Sequence, residues 1–343
     1  MNHVLLIRPG ALGDAIVTLP AVRALLAGGV RHVTILGKKS SWEFLRSDIE
    51  RVHVIDIEKE QWRPLFEDNS RFGMAATHLL QTVDTAIVVL STYLPHAHAA
   101  LEQMGVPKIL NAVKPRIEDY ATSRSEGLDR TDSNMLEEQH AVVRLLEPVR
   151  HLLGTWHPGP LNVAEPSLMN DPFIRIDDAE IEKAVRSIGF DTVPEEGFVM
   201  IHPGASSKAK CWTPHGFADL AASISFQMGL IPVMVYGPAE NNLRSQIEVI
   251  LPANIKVKSL DNRPLRELLA LMSIADAYIG NDSGGAHMAA RACPTMVLFG
   301  PTDPRVWHPL GESVYIIRSA PHPLHAMPPA AVVNNFMNFY DSI

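Results

Sequence analysis

The stretch Ala275-Asp276-Ala277-Tyr278-Ile279-Gly280-Asn281-Asp282-Ser283-Gly284-Gly285-Ala286-His287-Met288-Ala289-Ala290-Arg291-Ala292 reads as a strand that opens through a glycine loop into a helix. The mostly apolar run 275–280 supplies the strand. Ser283 or Asp282 can cap the helix. Gly284 and Gly285 let the backbone approach a ligand while the first-turn N–H groups and the helix dipole face it. Such a junction suits an anion, a phosphate in particular. The same turn also serves packing alone in many α/β proteins.

Working outward, short apolar runs alternate with helical patterns on both sides of this junction. In the second half strands are predicted at 197–201, 231–236, 255–258, 277–280, 295–299 and 314–317, with helices near 215–228, 239–250, 264–274 and 284–292. In the first half strands are predicted at 4–7, 32–36, 52–55 and 85–90, with helices at 21–26 and 97–104 and a longer helical pattern over 137–153. This is the rhythm of parallel α/β structure. Pro20 would break a helix begun at Asp14, which predicts a short turn after Gly13 and a helix with Thr18 near its cap. Pro158, Pro160, Pro166 and Pro172 cluster where the pattern pauses. The expectation is an α/β protein of two Rossmann-like lobes with parallel sheets facing a central cleft. Residues 1–170 form one lobe and 171–318 the other, and a tail, 319–343, packs back on the first. Ligands in such sheets sit at the carboxyl ends of the strands.

Composition narrows the class. A chain of 343 residues exceeds one ordinary core, and 46% hydrophobic with 20% charged residues is ordinary for a folded soluble protein. No apolar run reaches about 18 residues, so only a surface patch remains for peripheral membrane contact. The N-terminal Met1-Asn2-His3-Val4-Leu5-Leu6-Ile7-Arg8 reads as a buried strand rather than a signal peptide, an expectation of cytoplasmic location. Two cysteines, Cys211 and Cys293, are too few for a disulfide framework. A net charge of −8, with acidic residues in excess in both halves, argues against nucleic acid as a partner.

Several loops carry candidate chemistry. Arg8-Pro9-Gly10-Ala11-Leu12-Gly13-Asp14 follows the first strand and sets a carboxylate at its mouth. It is not GxGxxG, and the second strand ends in Gly37-Lys38-Lys39 rather than an acidic residue, which disfavours a dinucleotide. Asp14 is either a helix-capping carboxylate or a chemical one. After the first strand of the second lobe, His202-Pro203-Gly204-Ala205-Ser206-Ser207-Lys208-Ala209-Lys210-Cys211-Trp212 combines hydroxyls, small residues and lysines, groups that phosphate oxygens take as donors. Trp212 would pin that loop. Glu240 can accept from a ribose hydroxyl or simply favour a helix's first turn. His287 can face a phosphate or lie buried and satisfied. The loop 300–305 reads as a turn capped by Thr302 or Asp303. No HExxH or paired ligand spacing supports a zinc site, and no GxSxG elbow supports a serine nucleophile. Arg63, Arg71, Arg116, Arg124 and Arg130 lie in polar stretches, either as solvated loops or as capture points for an anionic acceptor.

The Gly10–Asp14 turn with Thr18-Leu19-Pro20-Ala21, the block from His202 to Trp212, and the Asn281–Ala290 loop with Phe299-Gly300-Pro301-Thr302-Asp303-Pro304 together resemble the heptosyltransferase family, glycosyltransferase family 9, of GT-B fold. The landmarks fall in order at 8–21, 202–220, 236–240 and 276–305. The resemblance implies inverting transfer of a sugar, typically L-glycero-D-manno-heptose from its ADP derivative, to a hydroxyl of the lipopolysaccharide core. It implies no metal and no cofactor beyond the donor. It places the nucleotide sugar on the second lobe and the glycan or glycolipid acceptor on the first, at the inner face of the cytoplasmic membrane. By position, Asp14 corresponds to the general base, Lys210 to the diphosphate lysine, and Glu240 to the acidic nucleotide contact. Asp282, Ser283, Gly284, Gly285 and His287 form the donor loop, with Ser206 and Ser207 beside it. Cys211 stands where many second-heptose enzymes carry arginine, which removes a positive charge near the diphosphate. Architectures of the same kind also serve sugar-nucleotide epimerases and non-catalytic nucleotide-sugar sensors.

Overall fold

The computed structural model describes residues 1–67, 71–90, 94–113, 140–154, 171–238 and 240–343. It divides into two compact units, Met1–Ala164 and Glu165–Ile343. The acceptor candidates Arg116, Arg124 and Arg130 lie outside the described residues, as do residues 137–139 of the long helical pattern and three of the four boundary prolines.

The first unit is a five-stranded parallel sheet built from β1 (His3–Arg8), β2 (His32–Gly37), β3 (Val52–Asp56), β4 (Thr85–Leu90) and β5 (Lys108–Val113), in the order β3-β2-β1-β4-β5. β1 and β4 are buried along almost their whole length because helices cover both faces, which is why they read as continuous apolar runs rather than alternating ones. The helices are α1 (Leu12–Ala27), α2 (Met74–Leu80), α3 (Pro95–Gln103) and α4 (Ala141–Leu153). α1 packs along α4.

α1 corrects one expectation. It begins at Leu12 and runs through Pro20, so Thr18 lies inside the helix and Asp14 in its first turn. A proline within a helix costs about 3 kcal/mol. Ile16, Val17, Leu19, Val22 and Leu25 are buried on this helix, and each such side chain contributes about 1.5–3 kcal/mol. The packing outweighs the local penalty. β5 carried no clear sequence signal: Lys108 and Asn111 interrupt its apolar run, and its strand state comes from pairing with β4, Thr85 opposite Lys108.

The second unit is a six-stranded parallel sheet of β6 (Phe198–His202), β7 (Ile231–Tyr236), β8 (Lys258–Asp261), β9 (Ala277–Asn281), β10 (Thr295–Phe299) and β11 (Val314–Arg318), in the order β11-β10-β9-β6-β7-β8. Its helices are α5 (Asp178–Ser187), α6 (Pro214–Gln227), α7 (Asn241–Ile250), α8 (Leu265–Met272), α9 (Gly284–Ala289), α10 (Pro304–Trp307) and α11 (Pro329–Tyr340). β8 starts three residues later than the apolar run at 255–258 predicts. Ile255 and Val257 pack against the core on the approach, and pairing with β7 sets Val233 opposite Lys258.

The tail corrects a second expectation. Val332, Phe336 and Phe339 of α11 belong to the same core cluster as Phe217, Leu220 and Ala221 of α6. The tail helix therefore buries its apolar face in its own unit, and the expectation of docking on the first lobe is replaced by this packing. Among the described residues no helix is long and apolar enough to cross a membrane.

In each sheet the chain order reverses beside the first strand of the unit, between β1 and β4 in one and between β6 and β9 in the other. Open α/β sheets bind ligands outside the carboxyl ends of strands at such a switch point. Those ends carry Arg8 to Asp14 in the first unit, and His202 and Asn281 to Gly285 in the second.

Candidate active site

In the first unit, β1 ends on Arg8, which is only 3% exposed. Its Nη2 donates to Asp14 Oδ1 at 2.8 Å and its Nε to Thr18 Oγ1 at 3.2 Å, while the Thr18 hydroxyl donates to the Asp14 carbonyl at 2.6 Å. Asp14 Oδ2 accepts from the Ala11 N–H at 3.1 Å. Burial lowers the Arg8 pKa, and the Asp14 carboxylate offsets only part of that. The carboxylate caps the start of α1 and stands just beyond the carboxyl end of β1. Oδ1 and Oδ2 each accept one of these bonds.

Gly10 makes this arrangement possible. A Cβ at that position would overlap the Asp14 side chain and stand 2.7 Å from Oδ2. Gly10→Ala must therefore shift either the turn or the carboxylate. We expect such overpacking to destabilise the protein by about 1–3 kcal/mol; thermal unfolding of the variant beside the wild type checks it.

In the second unit, the loop after β6 and the loop after β9 are stapled together by Asn281, which is fully buried. Its Oδ1 accepts from the Trp212 N–H at 3.1 Å and its Nδ2 donates to the Pro203 carbonyl at 2.7 Å. Trp212 pins the loop from the other side: its indole packs edge-on to Phe217, and its Nε1 donates to the Met327 carbonyl at 2.9 Å. The staple sets Lys210 over Asp282. Lys210 Nζ lies 2.7 Å from Asp282 Oδ2, and the Thr302 hydroxyl donates to that same oxygen at 2.6 Å. Asp282 is 4% exposed, whereas the Lys210 side chain keeps 20% of its surface open to solvent.

Of the two candidate caps, Ser283 is the one used: its Oγ accepts from the Ala286 N–H at 3.4 Å, leaving Asp282 to hold Lys210. Gly284 and Gly285 open α9, and His287 is buried on it. Ser206 and Ser207 are exposed on the loop before Lys210. Glu240 folds back to accept from the Gly237 N–H. A Cβ at Gly204 or at Gly237 would stand 2.6 Å from one of its carboxylate oxygens. The Glu240 carboxylate therefore reaches both the β6 and the β7 loops. The Cys211 thiol is pushed up by burial and by the neighbouring Glu240, which keeps it protonated and neutral. Arg63 and Arg71 are exposed in the first unit, Arg63 facing Glu60 at 3.6 Å within one turn. Among the described residues no group of three or more His, Cys, Asp or Glu side chains is placed to hold a metal ion.

Sequence reasoning missed Arg8, Asn281 and Thr302 as parts of these clusters. Arg8 left a signal, a cation closing an apolar strand six residues before an aspartate. Thr302 left none: its loop reads as a capped turn, and Asp303 does cap α10 by accepting from the Arg305 N–H at 3.0 Å. The Thr302 hydroxyl is turned instead toward Asp282, twenty residues away.

Residues 128–328 match the model of glycosyltransferase family 9 (heptosyltransferase). A lipooligosaccharide heptosyltransferase 2 of Campylobacter jejuni is 37% identical over 106 residues, which cover 30% of this chain and 33% of that protein. The alignment thus spans about a third of that curated relative. The solved structure of E. coli ADP-heptose LPS heptosyltransferase II aligns over 100% of this chain and 99% of its own with a TM-score of 0.71 at 18% identity. The family 9 glycosyl transferase of Veillonella parvula aligns over 100% and 98%, with a TM-score of 0.73 at 15% identity. These two likenesses show the fold, the GT-B arrangement of two parallel-sheet α/β units. With the family model matched over more than half of its length, the chain belongs to glycosyltransferase family 9, the heptosyltransferase family.

Proposed function

We propose that the protein is an inverting, metal-independent glycosyltransferase. It transfers heptose from ADP-L-glycero-D-manno-heptose to a hydroxyl of a lipopolysaccharide-core or related glycan acceptor. The observation that carries this reading is the Lys210 ammonium, held by Asp282 and Thr302 at the carboxyl end of the β6–β9 switch point in a family 9 chain. The domain roles follow: the second unit takes the nucleotide sugar and the first takes the acceptor. The reaction is set in the cytoplasm, with peripheral contact at the inner face of the membrane that carries the acceptor lipid.

An acceptor hydroxyl is a poor nucleophile at neutral pH. As its oxygen bonds to the anomeric carbon, its proton passes to the Asp14 carboxylate, and the bond from that carbon to the diphosphate oxygen breaks with its electron pair going to the diphosphate. The growing negative charge is met by Lys210 and by hydroxyl and N–H donors of the Ser206, Ser207 and Ser283 to Gly285 loops, fixed before the reaction. Inversion needs one base and no covalent sugar intermediate. Glu240 accepts from the ribose. Arg8 beside Asp14 holds the orientation of the carboxylate.

Calorimetric titration with ADP, UDP and GDP in the presence of EDTA tests the donor. Selective binding of ADP without metal is the expected result. A preference for UDP or GDP would move the donor to another nucleotide sugar, and binding of none would end the transferase reading.

A further inference from the structure

A buried hydroxyl lies beneath the start of α9. Tyr278, the second residue of β9, is fully buried, yet its hydroxyl has no hydrogen-bond partner among the described residues. A buried unpaired hydroxyl costs stability, and phenylalanine would fill the same space without that cost. Each such group calls for an explanation other than packing.

Its position supplies one. A Cβ built on Gly285 would stand 3.1 Å from the Tyr278 hydroxyl and 3.0 Å from His202 Nδ1, and one on Gly280 would stand 2.7 Å from the same hydroxyl. The phenol oxygen thus lies against Gly280 of β9 and Gly285 at the start of α9. His202 shares this floor, with Nδ1 3.3 Å from Ser283 Oγ. Burial pushes the His202 pKa down to about 4, so the ring is neutral near pH 7 and keeps one acceptor nitrogen. The Ser283 hydroxyl is near enough to oppose the upward push of burial on the phenol, without completing a hydrogen bond to it.

We propose that Tyr278 is a positioning residue for the diphosphate: when the anion turns the Ser283 O–H away from His202 and toward itself, the Tyr278 O–H becomes the donor to Ser283 Oγ. The inference rests on the reading of this loop as the diphosphate site. In the free protein the Ser283 proton points to His202 Nδ1. In the bound protein the chain runs phenol O–H to serine oxygen and serine O–H to phosphate oxygen, each bond polarising the next. A serine oxygen carries two lone pairs whose directions turn with its O–H; the Ala286 N–H takes one, and rotation of the O–H toward the anion brings the other to the phenol.

The test uses the full chain, with Tyr278→Phe, Ser283→Ala and the double variant, titrated with ADP and with inorganic pyrophosphate, and with thermal unfolding of each free protein. Tyr278→Phe is expected to leave the melting temperature unchanged or higher while weakening both ligands about 5- to 10-fold. In the Ser283→Ala background the same change is expected to cost nothing further, because the acceptor is gone. Wild-type affinity in Tyr278→Phe, a loss of affinity together with a lowered melting temperature, or an equal loss in both backgrounds would overturn the inference. Wild-type protein that binds neither ligand would overturn the donor-site reading itself, and the inference with it.

Discussion

Asp14→Asn is expected to lower turnover about 10²- to 10⁴-fold, the range that a positioned general base supplies, with ADP affinity close to that of the wild type. The structure shows why this substitution is not silent for the fold. Asp14 accepts two bonds at once, Arg8 Nη2 on Oδ1 and the Ala11 N–H on Oδ2. An asparagine has one acceptor oxygen, so its NH₂ must face one of these two donors. Whichever it faces, a buried guanidinium or a helix-start N–H loses its acceptor, at a cost of about 1–3 kcal/mol. The assignment therefore needs three readings on the same variant: kcat with ADP-heptose, ADP affinity and melting temperature. A lowered kcat with retained ADP affinity and a modest fall in melting temperature supports the base. Loss of ADP affinity in proportion to kcat would remove Asp14 from that role.

Lys210→Ala carries the second large effect. Removing a preorganised positive donor from a developing oxyanion costs about 10²- to 10³-fold in turnover, and under the proposed function donor affinity is expected to fall with it, since Lys210 would meet the diphosphate before and after the bond breaks. Stability falls too. Asp282 is left 4% exposed with the Thr302 hydroxyl as the bond that remains on Oδ2. We expect a loss of about 1–3 kcal/mol, less than the 3–5 kcal/mol typical of breaking a fully buried pair, because the Lys210 side chain retains 20% exposure. Combining Lys210→Ala with Asp282→Asn removes the uncompensated charge. The double variant should recover melting temperature and not turnover. Recovery of both would mean that Lys210 acts on the fold alone.

The two clusters differ in how far they could be read from residue order. Asp14, Lys210, Glu240 and the 282–287 loop all follow strands, and a parallel sheet sends every such loop to the same edge, so spacing after an apolar run was enough to nominate them. The partners of those residues were not legible. Arg8 belongs to a strand that otherwise reads as pure core. Asn281 and Thr302 act across gaps of 78 and 20 residues, to Pro203 and to Asp282. Periodicity reports which face of an element is buried, and it is silent on which buried polar atom meets which.

Residue order by itself determined the parallel α/β rhythm, the two-unit division and the loops that carry charge. These depend on local hydrophobic periodicity and on turn chemistry, which neighbouring residues encode. The tertiary structure alone decided that α1 runs through Pro20, that α11 stays on its own unit, that Ser283 rather than Asp282 caps α9, and that Lys210 rests on Asp282. In each case burial of distant side chains, or a hydrogen bond between residues far apart in the chain, outweighs a local preference of a few kcal/mol or less.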